Sequence, residues 1–335
     1  MMAERARLVR ALSTTKPASK VELGQLTGLS EARVSALLSE LEQDGLPLCG
    51  KPERGYQLAF ALAPIDLSHL KRALALSGFP FVEEVVLLDA VDSTSDWLTR
   101  AQGAGHDIHG RACVTEYQSA GRGRRGRAWQ GAPYCHLMLS LGWRFKKAAV
   151  ELSGLSLCVG VAIADRLHSL GAVDIGLKWP NDLLCPAGKL GGVLVEVNSR
   201  TGEDAGVVIG VGINLYDPSL ADLNAGQPIT DLATQLGGIV PQRTDLIASI
   251  LADLAQAVKQ FESVGFIAQR DRWNALDVFS GQKVSAFSAQ QKLVGIGEGV
   301  DPSGRYQLRC DDGAVATIIA GDISLSLTCG DTLES

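Results

Sequence analysis

The sequence predicts an α+β chain of three modules, and three observations carry that expectation. The first sixty or so residues are patterned as two short helices, a tight turn and a third helix. From about Val82 strands alternate with helices, and after Gly281 only short strands separated by Gly and Asp turns remain. At roughly 100 to 200 residues per domain, 335 residues allow two or three domains. The expected boundaries are 1–64 for a winged helix-turn-helix head, 65–275 for a central mixed-sheet α/β domain, and 276–330 for a small SH3-like β-barrel.

In the head, residues 4 to 13 and 20 to 28 read as short helices, and Ser30 is a good N-cap for the next one. There Val34, Leu37, Leu38 and Leu41 fall at i, i+3, i+4 and i+7, and Gly45 is placed to end the helix. LPLCGKPERGYQL then reads as a hairpin wing, closing the head near Ala63-Pro64. In the centre, ACVTEYQ, HLMLSLGW, IGLKW, GVLVEV and GVVIGVGINL are the strand candidates. Leu137, Leu139, Leu141 and Trp143 alternate, which predicts a strand with one buried face. SGLSLCVGVAIADRLHSL, apolar on most sides and followed by Gly171, reads as a buried helix, and Thr244 to Glu262 as an amphipathic one. KVSAF, KLVGIGEGV, YQLRC and AVATIIAG are the short strands of the tail.

Composition narrows the function classes. A hydrophobic fraction of 46% and a charged fraction of 20% are ordinary globular values. A net charge of −6 argues against a dedicated nucleic-acid scaffold, so any anion site must be a local cluster. Seven scattered cysteines without a CxxC pair suggest neither a zinc knuckle nor a disulfide framework, and such thiols fit the cytoplasm. MMAERARLVRAL lacks the apolar core of a signal peptide, and no run reaches about 18 apolar residues, so no membrane association is expected.

Two segments carry chemistry. EYQSAGRGRRGRAW, residues 116 to 129, interleaves Arg122, Arg124, Arg125 and Arg127 with Gly121, Gly123 and Gly126. Glycine lets the backbone approach a ligand, and arginine offers a planar fork of donors matched to phosphate oxygens. From composition alone, a mobile basic loop or an RGG-like nucleic-acid contact is as good a reading. Its place between two strand candidates, as a single copy, favours a ligand site. In KWPNDLLCPAGKLGGVLVEV, residues 178 to 197, Trp179-Pro180-Asn181-Asp182 is a turn, and Lys189 enters the next strand beside Gly191 and Gly192. A surface hairpin with a solvated lysine is the bland alternative.

GRGRRGR, KWPNDL, KLGGVLVE and GVGIN, preceded by Asp92-Ser93-Thr94, stand in the order and approximate spacing found in biotin protein ligases, and the chain resembles that family over roughly residues 89 to 330. With its head it resembles the bifunctional bacterial members that also act as biotin-responsive repressors. The resemblance implies an enzyme that condenses biotin with ATP and Mg²⁺ to biotinyl-5′-AMP and transfers biotin to a lysine of a biotin carboxyl carrier protein. Ser93, Thr94 and Gln118 match the positions that hold biotin's ureido ring, with Ser95 beside them. Arg122, Gly123, Arg124 and Arg125, with Trp129, match the loop over biotin and its adenylate. Lys189 matches the lysine at the carboxylate and phosphate, and with Arg124 and Asp182 it is implied to be catalytic. Lys178 and Asn181 fall on the nucleotide side, Gly192 and Asn214 belong to the matched motifs, and Asp182 is the implied holder of Mg²⁺ or of the incoming amine.

Two departures stand out. Ser95 replaces the family's usual asparagine, and the segment from Asp217 to Ile229 has Pro228 where some relatives have a tryptophan. In the head, residues 1 to 63 carry eight Lys/Arg and seven Asp/Glu. The reading helix offers Glu31, Arg33 and Ser35 to operator DNA, so a head that only packs is the alternative. A single weakly charged head should bind DNA poorly, and the resemblance implies a homodimer promoted by biotinyl-5′-AMP whose two heads bind together.

Overall fold

The computed structural model describes residues 4–51, 54–146, 152–198, 204–217, 227–239, 241–287, 292–319 and 324–327. Three helices, α1 (Glu4–Ala11), α2 (Lys20–Thr27) and α3 (Glu31–Gln43), precede a hairpin of β1 (Leu48–Lys51) and β2 (Gly55–Leu58). Ser19 closes a capping box with Glu22 and Ser30 caps α3, so the head's helix starts follow from local sequence. Leu8, Leu23, Val34, Leu37, Leu38, Leu41 and Leu58 form its core, and Tyr134, seventy residues further along the chain, is buried among them.

After α4 (Leu67–Leu76) the chain builds one mixed sheet from β3 (Val85–Leu88), β4 (Ala112–Thr115), β7 (His136–Phe145), β8 (Gly176–Lys178), β9 (Asp182–Cys185), β10 (Gly188–Asn198) and β11 (Ala205–Asn214), in the order β3-β4-β7-β11-β10-β9-β8. Only β3 and β4 pair in parallel. Helix α5 (Thr94–Gly103) follows β3, and the short strands β5 (Gly121–Arg122) and β6 (Ala128–Trp129) form a separate hairpin between β4 and β7. Helix α6 (Leu155–Ser169) and, beyond α7 (Leu232–Gln235), helix α8 (Arg243–Val264) share the main core with β7 and β11.

The expectation of one buried face on β7 is corrected here. His136, Met138 and Ser140 are as buried as the leucines that alternate with them. The cause is position: β7 lies inside the sheet, with the α4, α6 and α8 core on one side and α5 on the other.

Helix α9 (Arg270–Leu276) leads into a five-stranded antiparallel sheet of β12 (Lys283–Phe287), β13 (Lys292–Val300), β14 (Tyr306–Arg309), β15 (Val315–Ile318) and β16 (Ser324–Leu327). It is tied to the central sheet: Trp179, after β8, donates its indole N–H to Gly304 O at 3.1 Å, and Tyr306 donates to Asp277 Oδ2 at 2.7 Å, next to Val278, whose N–H bonds Leu177 O on β8 at 3.0 Å. Among the described residues no helix is long and apolar enough to cross a membrane, and Cys49, Cys113, Cys135, Cys158, Cys185 and Cys310 are free thiols.

Candidate active site

A cleft of about 900 Å³ gathers the predicted residues of the central domain: Ser93, Thr94, Ser95, Gln118, Arg122, Gly123, Arg124, Arg125, Trp129, Lys178, Asn181, Asp182, Lys189, Gly192 and Asn214 all line it. Glu31, Arg33 and Ser35 lie elsewhere, on α3 of the head. There the Arg33 guanidinium is already engaged, 2.8 Å from Glu4 and 3.4 Å from Glu40, and Ser35 accepts from Lys20 Nζ at 2.8 Å.

One end of the cleft is made of hydroxyls. Ser93 caps α5, and Asp92 beside it is clamped by both guanidinium nitrogens of Arg100 at 2.6 and 2.9 Å, so the turn is pinned at the helix start. Thr94 donates its backbone N–H to Gln118 Oε1 at 2.8 Å, and its hydroxyl lies 2.7 Å from Ser140 Oγ. Ser95, the shorter replacement for asparagine, still finds a partner, with its Oγ 3.0 Å from Ser140 Oγ. Ser140 escaped the sequence reading, although a serine in the run HLMLSLGW was its signal. Gly210 lies opposite on β11: a Cβ there would come within 2.7 Å of Ser95 Oγ, so only glycine leaves room for the hydroxyls.

The other end is cationic. Arg124, more than half buried, donates to Asn181 Oδ1 at 3.4 Å; burial and its neighbours Arg125 and Arg127 push its pKa below the ordinary arginine value. Burial, then Lys189 and Arg127, likewise lower Lys178. Lys189 Nζ meets Asp182 Oδ1 at 2.7 Å, and its backbone is fixed by hydrogen bonds to Pro228 O and from Thr230 N, both 2.9 Å. Asn181 Nδ2 donates to Val193 O at 2.8 Å, which fixes the turn after β8. Trp129 forms a wall against Gly212, where a Cβ would approach its ring to 2.7 Å. Among the described residues the buried Trp129 Nε1 meets no acceptor.

Arg122 lines the cleft with its guanidinium already engaged. Its guanidinium is clamped by Glu196 at 2.8 and 2.6 Å and by Asp96 at 2.7 Å. It therefore ties the β5–β6 hairpin to β10 and α5. Pro228 contributes its carbonyl, while residues 218–226 of the segment expected over the adenylate lie outside the described residues.

Two buried pairs behind the cleft were not anticipated. His136 Nε2 lies 3.0 Å from Asp217 Oδ2, and Arg243 donates to Glu116 Oε2 at 2.7 Å, all four side chains nearly inaccessible. Burial raises the Cys113 and Cys158 thiols to about 12, so neither is poised as a nucleophile. Among the described residues no three His, Cys, Asp or Glu side chains converge on a common point, and Asp182 is the one carboxylate lining the cleft. That donor set suits Mg²⁺, which is commonly held by one or two carboxylates together with substrate phosphates, better than a resident all-protein site.

Comparison with known proteins identifies the relatives of this chain. Residues 88–214 match the biotin/lipoate A/B protein ligase family, and residues 279–326 match the biotin protein ligase C terminal domain. The chain is 34% identical over 320 residues to the bifunctional ligase/repressor BirA of Escherichia coli, covering 95% of this chain and 96% of that protein. It is 34% identical over 266 residues to the biotin--[acetyl-CoA-carboxylase] ligase of Mycobacterium tuberculosis, covering 78% of this chain and 95% of the relative. The biotin protein ligase from Aquifex aeolicus in complex with biotin and ATP superposes with a TM-score of 0.63 at 24% identity, over 73% of this chain and 99% of that one, a likeness of fold.

Proposed function

This chain belongs to the biotin protein ligase family, and we propose on that premise that its cleft of hydroxyls and cations is where biotin and ATP are condensed. The protein is an ATP-dependent biotin protein ligase. It joins biotin to AMP and then transfers the biotinyl group to a lysine of a carrier protein. The carrying observation is that one cleft combines Thr94, Ser95 and Gln118, with Ser95 beside Gly210, and the cations Lys189, Arg124 and Lys178, with Lys189 beside Gly192.

Each end has its task. The Ser93, Thr94, Ser95 and Gln118 end takes the ureido ring, whose N–H and C=O groups need fixed partners once water is excluded. A biotin carboxylate oxygen attacks the α-phosphorus of ATP, the bond to pyrophosphate breaks, and a mixed anhydride forms. Two anions must meet for this, so fixed cations at the junction lower the barrier. Lys189 and Arg124 occupy that junction, Lys178, Asn181 and Asp182 the nucleotide side, and Gly123, Arg125, Trp129, Gly192 and Asn214 the walls. Mg²⁺ brought in with ATP would be held by Asp182 and would spread the phosphate charge. The carrier lysine, as a neutral amine, then attacks the acyl carbon, AMP leaves, and the amine sheds a proton. Biotin-dependent exchange of pyrophosphate into ATP on the purified chain tests the reading; a chain that folds and binds ATP without exchange overturns it.

The finer assignments follow the same line. The head is a winged helix-turn-helix that places Glu31, Arg33 and Ser35 at operator DNA, the carboxy-terminal sheet is an SH3-like barrel, and the boundaries fall at 64/65 and 275/276. The acceptor is the biotin carboxyl carrier protein of a biotin-dependent carboxylase, and the protein works in the cytoplasm as a biotin-responsive repressor. Biotinyl-5′-AMP promotes a homodimer, whose two heads gain roughly 10² or more in avidity for an inverted repeat. Arg33, engaged by Glu4 and Glu40, favours a second reading in which the head only packs. Sedimentation and operator titration with and without biotinyl-5′-AMP separate the two: unchanged mass and DNA affinity leave a ligase alone.

A further inference from the structure

Tyr134 adopts φ 65°, the left-handed region that a large side chain keeps only when its surroundings fix it. Its surroundings belong to two modules. The ring, 1% exposed, is part of the head's hydrophobic core. The phenol donates to Asp89 Oδ1 at 3.1 Å, Asp89 lies 3.5 Å from Arg5 Nε, and Arg5 reaches Asp44 at 2.6 Å, so a polar chain runs from the sheet edge across to α1 and the end of α3. The backbone, by contrast, belongs to the central domain: Tyr134 N donates to Glu116 O at 3.0 Å, and Cys135 O accepts from Leu215 N and Tyr216 N, each at 3.2 Å. Tyr216 in turn meets Phe60, in the segment leaving the head, edge to face at 4.4 Å.

Five residues before Tyr134 stands Trp129, the cleft wall seated on Gly212. Between them Ala132 N donates to Asp217 Oδ2 at 3.3 Å, leaving the stretch tethered at both ends and in its middle. We propose that Tyr134 is a positioning residue of the ligase site: anchored in the core of the head, it fixes the 129–136 stretch and so holds the Trp129 wall against bound biotin. This rests on the reading of the cleft as the biotin site.

The test uses the full chain, with kinetics from biotin-dependent pyrophosphate exchange and active sites counted by the burst of biotinyl-adenylate, so that misfolded molecules drop out. Tyr134→Ala should raise the biotin KM about tenfold while kcat per active site stays within about twofold, and Tyr134→Phe, which keeps the ring, should return KM to within about twofold of wild type. Trp129→Ala should raise the same KM. If Tyr134→Ala leaves KM unchanged while Trp129→Ala raises it, the positioning role fails and the cleft reading stands. If neither moves KM, both fail. Should Tyr134→Ala not fold, Tyr134→Leu, which fills the head's core without the aromatic shape, is judged by the same criteria.

Discussion

Replacing Lys189 by methionine keeps length and apolar bulk while deleting one charge, and the structure sets the size of the effect. Lys189 Nζ lies 2.7 Å from Asp182 Oδ1, with side-chain exposures of 22% and 14%, so the pair is mostly shielded from water. A unit charge about 4 Å from a phosphoryl oxygen is worth about 4 kcal/mol at an effective dielectric near 20. Asp182 offsets part of that. Single donors to a developing oxyanion are measured at about 2.7–4 kcal/mol, so kcat/KM for pyrophosphate exchange should fall about 10² to 10³-fold. The variant also leaves the Asp182 carboxylate facing the incoming anions without its partner. Asp182→Asn should therefore cost less in the Lys189→Met background than in wild type, with a coupling of about 0.5–3 kcal/mol. Exchange kinetics on the four proteins of this cycle provide the assay. Activity of folded Lys189→Met within about threefold of wild type, or strictly additive effects, would refute the junction role.

Three further outcomes follow from contacts already described. Gly210→Ala, which brings a methyl to 2.7 Å from Ser95 Oγ, should cost about 1–3 kcal/mol of biotin affinity by calorimetry; wild-type affinity would show that the hydroxyl end is not where biotin packs. Glu116→Ala leaves the Arg243 guanidinium buried without its carboxylate and removes the acceptor of Ile65 N at 2.5 Å, so urea unfolding should show a loss of about 3–5 kcal/mol, and a loss below about 1 would contradict the pair's weight. Asp277, whose carboxyl burial raises to about 6 despite bonds from Phe279 N and Tyr306, holds a proton in the folded state that the unfolded chain releases near pH 4. Its contribution is therefore present below about pH 4 and lost as the pH rises through 6. The stability of wild type relative to Asp277→Asn should fall by up to about 3 kcal/mol between pH 4 and 7, and a difference flat across that range would exclude it.

What could be read beforehand was local or carried by motifs. Ser30 announces a helix start because capping is a contact over three residues, and the alternating leucines of β7 announce a strand because side chains alternate faces. Motif order gathered the predicted residues at one cleft, since the motifs sit at strand ends or in the turns and hairpin that link the strands of one sheet. The second buried face of β7 was hidden because alternation reports one face only, and what covers the other depends on where the strand lies in the sheet. The His136–Asp217 and Glu116–Arg243 pairs join residues 81 and 127 apart, and a buried pair at such separation has no periodic trace. Gly210 and Gly212 were partly legible: alternate glycines in GVGIN mark close approach, but not to which side chain. Tyr134 left no trace, because its aromatic ring signals a core without saying whose.

The arginines of GRGRRGR show why composition alone left the loop undecided. A mobile basic loop would expose all of its charges to water. Here they are sorted. Arg122 is clamped by Glu196 and Asp96, which holds the hairpin to the sheet. Arg124 is turned inward, where burial and the charges of Arg125 and Arg127 disfavour its protonated form, and the same crowding acts on Lys178 through Lys189 and Arg127. Crowded cations raise the free energy of the folded protein, and an anion placed among them lowers it again. On the proposed function, the triphosphate and the adenylate that replaces it relieve that crowding. The carboxylates of Glu196 and Asp96 keep the hairpin in place while that relief is awaited, so binding energy goes to the reacting phosphate instead of to ordering the loop.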